Sequence, residues 1–182
     1  MTLKDLNIDK SWTLFLDRDG VINKKLLDDY VKHWAQFEFI ENVLLALKVF
    51  NTKFGPIIVV TNQQGIGKGY YTTEDLELIH KNMLYELRYA GGRIDGIYFS
   101  PYLDSLNHPT RKPATGMALQ AKKDFPEIEF AKSIIIGDSL SDMEFGRALG
   151  MTTIFVSPNA LKGTRIDFNF TSLMEFADAM NN

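Results

Sequence analysis

Five short runs of β-branched and aromatic residues, none alternating with polar ones, constrain this chain more than any other feature. They are Trp12–Asp17, Pro56–Thr61, Ile97–Ser100, Ser133–Gly137 and Thr152–Val156, the third being the weakest. A strand with one wet face repeats with a period of two, so a run that is apolar throughout must be covered on both faces, as in a parallel sheet. Between the runs lie helical patterns. Glu41–Phe54 puts Val43, Leu44, Leu47 and Phe50 on one stripe. Thr73–Ala90 opens with Thr73-x-Asp75 as a cap and repeats Leu76, Ile79, Met83, Leu84 and Leu87 before stopping at Gly91-Gly92. Gly116–Phe125 runs into Pro126, and Ser141–Leu149 into Gly150. Thr171–Asn182 is a closing helix with Leu173, Met174, Phe176 and Ala177 inward. Strands alternating with helices predict an α/β fold, a doubly wound parallel sheet with right-handed crossovers. The 182 residues fit a single domain spanning 1–182, without repeats or an interdomain linker. The least regular stretch, Lys24–Phe39, is expected to form a flap or short hairpin over the sheet end.

Polar and small residues terminate these runs in a consistent way. Asp17, Thr61 and Asp138 all emerge at the carboxyl ends of strands, where open α/β sheets bind ligands. Asp17 and Asp19 are two residues apart, so on an extended chain both carboxylates face one side. Placing them beside an anion requires a cation, and Mg²⁺ accepts oxygen ligands of this kind, with Asp138 arriving from a neighbouring strand. An acidic turn at a strand end is the plainer reading of that pair taken alone. The amides of Thr61-Asn62-Gln63-Gln64-Gly65 offer hydrogen bonds to phosphate oxygens, although an ordinary turn has the same composition. Lys68, with Gly65 and Gly67, forms a basic edge whose spacing is not that of a P-loop. Arg111 and Lys112 suit phosphoryl oxygens, or are a solvated basic pair. Asp142 is either a helix-cap residue or a further metal contact.

Composition removes alternatives. The chain has no cysteine, which excludes disulfides, thiolate metal sites and cysteine nucleophiles. Its formal net charge of −3 gives no global basic field for nucleic acid or anionic membrane. Charged residues near Met1 and the lack of a long apolar stretch point to a cytoplasmic protein without a membrane span. His33, His80 and His108 are isolated, and none suggests a serine-hydrolase triad; His80, on the helix begun near Thr73, reads as structural or exposed.

Asp17-Arg18-Asp19-Gly20, Thr61-Asn62-Gln63, Arg111-Lys112-Pro113 and Gly137-Asp138 with Asp142, in this order, resemble the haloacid dehalogenase (HAD) superfamily of phosphohydrolases. The likeness runs from about Trp12 to Val156 and is greatest to its histidinol-phosphate and D-glycero-D-manno-heptose 1,7-bisphosphate phosphatase group. The resemblance implies a Rossmann-like HAD fold, Asp17 as nucleophile, Asp19 as general acid/base, and Thr61 and Lys112 as holders of the phosphoryl group. It further implies Mg²⁺ on Asp17, Asp138 and the Asp19 carbonyl, with Asn62, Gln63, Arg111 and Lys25 near the substrate. The intervals from Asp19 to Thr61 and from Thr61 to Lys112 each hold a crossover helix and little more, so no large cap domain is expected. The implied partner is a small phosphorylated metabolite acted on by a monomer, with heptose bisphosphate the leading substrate. Histidinol phosphate, nucleic-acid 3′ ends and a non-catalytic binding role are the alternatives. Two departures stand out. Ser100, Tyr102, His108 and Thr110 occupy the places of a zinc loop of the type C-x-H…C-x-C, so the loop is expected to hold by packing and turns. Ser139 follows Asp138 where relatives often carry Lys.

Overall fold

A computed structural model describes residues 2–158 and 166–181. Six parallel strands form one sheet: β1 (Thr13–Leu16), β2 (Ile57–Asn62), β3 (Gly96–Ser100), β4 (Ser133–Gly137), β5 (Thr152–Val156) and β6 (Phe168–Phe170). Their order is β3-β2-β1-β4-β5-β6, so the chain winds outward from β1 to one edge and then crosses back past it. The point of reversal lies between β1 and β4, where a crevice opens at the carboxyl ends. The doubly wound α/β fold expected from the apolar runs is therefore the one observed, with β6 as an addition.

Both faces of the sheet are covered, which explains why the central runs do not alternate. Leu14, Leu16, Ile57, Val59, Ile134 and Ile136 point to one side and join a buried cluster with Leu47, Phe50, Met83, Leu87 and Phe176. Those partners come from α1 (Val43–Lys53), α3 (Thr73–Tyr89) and α6 (Leu173–Ala179). The intervening Phe15, Ile58, Val60 and Ile135 point the other way, against Met117, Ala118, Ala121 and Phe145. These belong to α4 (Gly116–Asp124) and α5 (Leu140–Leu149). The remaining helix, α2 (Gln64–Gly67), is a single turn after β2 that the sequence pattern did not indicate.

Helix ends follow local chemistry. The cap of α3 is Thr72 rather than Thr73: its hydroxyl accepts from Asp75 N at 3.1 Å while Asp75 Oδ2 accepts from Thr72 N at 2.9 Å. Gly150 ends α5 in the left-handed conformation. Asn182, the last residue of the expected closing helix, lies outside the described residues. Residues 24–39 contain no paired strands of their own. The segment is a loop pinned at its base by Lys24 N donating to Glu38 O at 2.8 Å and by an Asn23–Phe39 bridge. Trp34, Phe37 and Phe39 pack on one another and on the core at its foot, while Leu27 at its tip is exposed. No helix among the described residues is long and apolar enough to cross a membrane.

Candidate active site

Parallel register brings the strand-end residues together. Leu16 stands level with Val59 on one side and Ile136 on the other, so the residues beyond it leave the sheet at its centre. Asp17 continues the ladder by one bond, donating its N–H to Ile136 O at 2.9 Å. Glycine lets the neighbouring chains close up. Gly20 has φ +91°, and a β-carbon there would lie 2.2 Å from an Asp138 oxygen; one on Gly137 would lie 2.2 Å from the Asp142 β-carbon.

Lys112 forms the centre of this floor. Its Nζ lies 2.9 Å from Asp17 Oδ1 and 2.5 Å from Asp142 Oδ1, and donates to Val60 O at 2.7 Å. All three side chains are nearly inaccessible to solvent. Asp142 also caps α5, its Oδ2 accepting from Ser139 N at 3.1 Å and Ser139 Oγ at 2.5 Å. Asp142 thus has the bonds of the cap reading, lies within the carboxylate group of the metal reading as well, and pairs with Lys112, which the sequence did not reveal. Burial pushes the Asp17 pKa up to about 7; Lys112 opposes this, while Asp142, Asp138 and Asp19 add to it. Burial disfavours the charge on Lys112 as well, but Asp142 and Asp17 outweigh it and raise its pKa.

Asp138 completes the group. Oxygens of Asp17, Asp138 and Asp142 lie within 4.8 Å of one another. Asp138 Oδ2 takes a 3.0 Å contact from Lys25 Nζ, whereas its buried Oδ1 has no hydrogen-bond partner. Burial raises the pKa of Asp138 against the pull of Lys25. A pocket of crowded carboxylates with an orphaned oxygen is what a hard divalent cation needs. The residues fit Mg²⁺.

Asp19 stands apart from that carboxylate cluster because Arg18 draws it aside. Both of its oxygens lie 2.9 Å from Arg18 Nη2, and further bonds come from Asn23 Nδ2 at 3.0 Å and Gln63 Nε2 at 2.8 Å. Burial alone would raise the Asp19 pKa, but the Arg18 charge and these three donors hold it below the usual carboxylate range. The side-chain oxygens of Asp19 are taken up by these donors and stand outside the Asp17, Asp138 and Asp142 group.

The other expected residues line one cleft of about 520 Å³. Thr61 is buried at its floor, 2.9 Å from Gln63 Nε2. Asn62 exchanges two bonds with the Lys112 main chain at 3.0 and 3.1 Å and so fixes the Lys112 backbone beside β2. Gln63 faces the cleft but has both amide hydrogens engaged, on Asp19 and Thr61, and its main-chain N–H on Ser100 O at 2.7 Å. It braces the wall and has no donor left for a substrate. Arg111 is held at the rim by Asp104 at 3.2 Å and Tyr102 O at 3.4 Å. Lys25 reaches in from the 24–39 loop. Sequence reasoning gave Arg18 no role and read His80 only as structural or exposed. His80 is buried beside Arg18; its place four residues after Leu76, on the apolar stripe of α3, was the available signal.

Similarity to known proteins agrees with this geometry. A family profile described as HAD-hydrolase-like matches residues 109–169. The D-glycero-alpha-D-manno-heptose-1,7-bisphosphate 7-phosphatase of Mycobacterium bovis is 40% identical over 173 residues, covering 93% of this chain and 91% of that protein. The chain belongs to the HAD-type phosphatases. A Helicobacter pylori relative, the D-glycero-beta-D-manno-heptose-1,7-bisphosphate 7-phosphatase, is 36% identical over 170 residues, or 91% of this chain and 94% of its own length. Among solved structures of such phosphatases, the D,D-heptose 1,7-bisphosphate phosphatase from B. bronchiseptica, complexed with magnesium and phosphate, superposes with a TM-score of 0.82. It is 25% identical and covers 93% of this chain and 98% of its own.

In the loop after β3, the residues set beside a zinc loop by the sequence resemblance contact one another in series. His108 stacks on Tyr102 with ring centroids 3.5 Å apart, and its Nδ1 lies 2.8 Å from Thr110 Oγ1. Thr110 Oγ1 in turn donates to Ser100 Oγ at 3.1 Å. The four positions thus still touch one another, through a ring stack and hydroxyls.

Proposed function

We propose that this phosphatase removes a phosphoryl group from a small phosphorylated sugar, with a heptose bisphosphate as the favoured substrate. One observation carries the reading: Asp17 sits against Lys112 at the floor of a cleft, beside Asp138 with an unpartnered oxygen. Asp17 has an oxygen free to attack phosphorus, and the new P–O bond forms as the sugar oxygen departs. Asp19, ionised in the resting site, acts as the proton carrier. It takes the proton of the monoanionic phosphoryl group and passes it to that oxygen, then takes one from the water that hydrolyses the aspartyl phosphate, releasing inorganic phosphate and restoring Asp17. Lys112 and the Thr61 hydroxyl orient the phosphoryl oxygens and offset their charge. The carboxylates of Asp17 and Asp138 and the Asp19 carbonyl would hold Mg²⁺, which when bound supplies positive charge to the phosphoryl oxygens and relieves the crowding of carboxylates.

The rim supports a doubly phosphorylated substrate. Lys25, Lys68 and Arg111 all line the cleft outside the floor, placed for a second anionic group, with Asn62 between floor and rim. The cleft volume lies in the range of small-molecule sites rather than of polymer grooves. The chain acts in this reading as one cytoplasmic, monomeric domain, residues 24–39 covering the cleft. The test is a panel of heptose bisphosphates of both anomers, hexose phosphates and histidinol phosphate, with Mg²⁺ or with chelator. Highest kcat/KM on a heptose bisphosphate, lost on chelation, is expected. Preference for histidinol phosphate would replace the substrate, and turnover of none would replace the reading with a binding role.

A further inference from the structure

The residue assigned to move the proton is gripped from two sides, and the grips have supports of their own. Arg18 and Gln63 supply three of the four bonds to the Asp19 oxygens. Behind Arg18, its Nη1 lies 3.1 Å from Nε2 of His80. A guanidinium has only donors, so this ring nitrogen must accept, which makes the imidazole neutral with its proton on Nδ1. Burial, and then the Arg18 charge, push the His80 pKa down to about 3, in keeping with that form. Behind Gln63, the Tyr71 hydroxyl donates to Oε1 at 2.5 Å. With the amide oxygen so occupied, the NH₂ group must face Asp19 and Thr61. Both supporting side chains are buried, and neither lines the cleft.

We infer that His80 and Tyr71 are positioning residues that set the place of the Asp19 carboxyl, His80 by orienting Arg18 and Tyr71 by orienting Gln63. Resting on the role proposed above for Asp19, the inference extends the proton-transfer machinery to the layer behind the cleft. Arg18 is almost fully buried and its Nε has no partner, so His80 and Asp19 are what fix its plane. If either support is removed, the donor it holds can turn, and the carboxyl follows.

Leaving-group chemistry separates this role from mere stability. Departure of an alkoxide from a sugar phosphate needs the proton from Asp19, whereas p-nitrophenolate leaves without one. The ratio kcat/KM reports the steps through the first irreversible bond cleavage, so it isolates proton donation from the later hydrolysis. Tyr71→Phe, which removes one hydroxyl, and His80→Leu are expected to lower kcat/KM on the alkyl ester by about tenfold or more, because small misplacements of a reacting group are costly. On p-nitrophenyl phosphate the loss should stay below about threefold. His80→Gln, whose amide oxygen can accept from Arg18, should restore most of the activity on the alkyl ester. Asp19→Asn in the same assay marks the full size of the split. Equal loss on both esters, or no loss, in folded Tyr71→Phe overturns the inference, and the Asp19 reading survives if Asp19→Asn shows the split. Absence of a split in Asp19→Asn overturns both.

Discussion

At the floor of the cleft Lys112 stands between Asp17 and Asp142, whereas the neighbouring loop, 101–109, is closed by the stacked rings of Tyr102 and His108 and by hydroxyls. The floor shapes the cleft directly, and the loop, which does not line it, holds Arg111 at the rim. The floor does so with buried charges that depend on one another, because taking away one partner leaves the others desolvated and uncompensated. The loop does so with neutral contacts worth about 1 kcal/mol each, helped by an Arg111–Asp104 pair whose acidic partner is largely exposed. The floor is therefore expected to fail as a unit and the loop by degrees.

Lys112→Met breaks the comparison most severely. It leaves Asp17 and Asp142 facing each other without a cation, and is expected to lower turnover about a thousandfold or more and to cost about 3–5 kcal/mol in urea unfolding. An active, stable Lys112→Met protein would show that the floor is not interdependent.

The metal state sharpens the same contrast. Asp17 and Asp138 both have raised pKa values, so the folded metal-free protein binds protons more tightly than the unfolded chain. The contribution of Asp17 is complete below the unfolded value of about 4 and is lost as pH rises through about 7, and that of Asp138 has the same sign. Asp19, with a lowered pKa, has the opposite sign and matters only below about pH 4. Thermal unfolding in chelator should therefore show the floor weakening from pH 4 to 7, less so in Asp17→Asn. At neutral pH, Mg²⁺ at a hundredfold excess over its Kd should restore about 2.7 kcal/mol. A Tm indifferent to Mg²⁺ at pH 7 would contradict the carboxylate pocket as its site.

The smallest effect is expected in the loop. Tyr102→Ala removes the ring stack and should cost about 1 kcal/mol, with a modest rise in KM through Arg111 and no response to zinc chelation. Stoichiometric zinc in the purified protein would show that the ring and hydroxyls do not stand alone.

How much could be read in advance follows the same division. The strands β1, β2, β4 and β5 were legible because burial on both faces leaves an unbroken apolar signature. β6 was not: Phe168–Phe170 is three residues of half-buried edge, too short for any period to register. Asp17, Thr61 and Asp138 could be nominated because strand ends converge in a parallel sheet, and Asp19 by its spacing from Asp17; Lys112, in the loop well beyond β3, took its role only from the family resemblance. The Lys112–Asp142 pair could not, since it joins residues thirty apart whose meeting depends on how α5 is set against the sheet. Arg18 and His80 escaped for a related reason. One looks like a spacer and the other like an interior residue of an amphipathic helix, until packing shows that they face each other.

The account rests on Asp17 carrying the phosphoryl group, and mass-spectrometric peptide mapping of the acid-quenched enzyme during steady-state turnover tests this directly. A phosphoryl adduct on the peptide containing Asp17, absent from Asp17→Asn, is the expected result. An adduct on another residue, or undiminished turnover by Asp17→Asn, would contradict it.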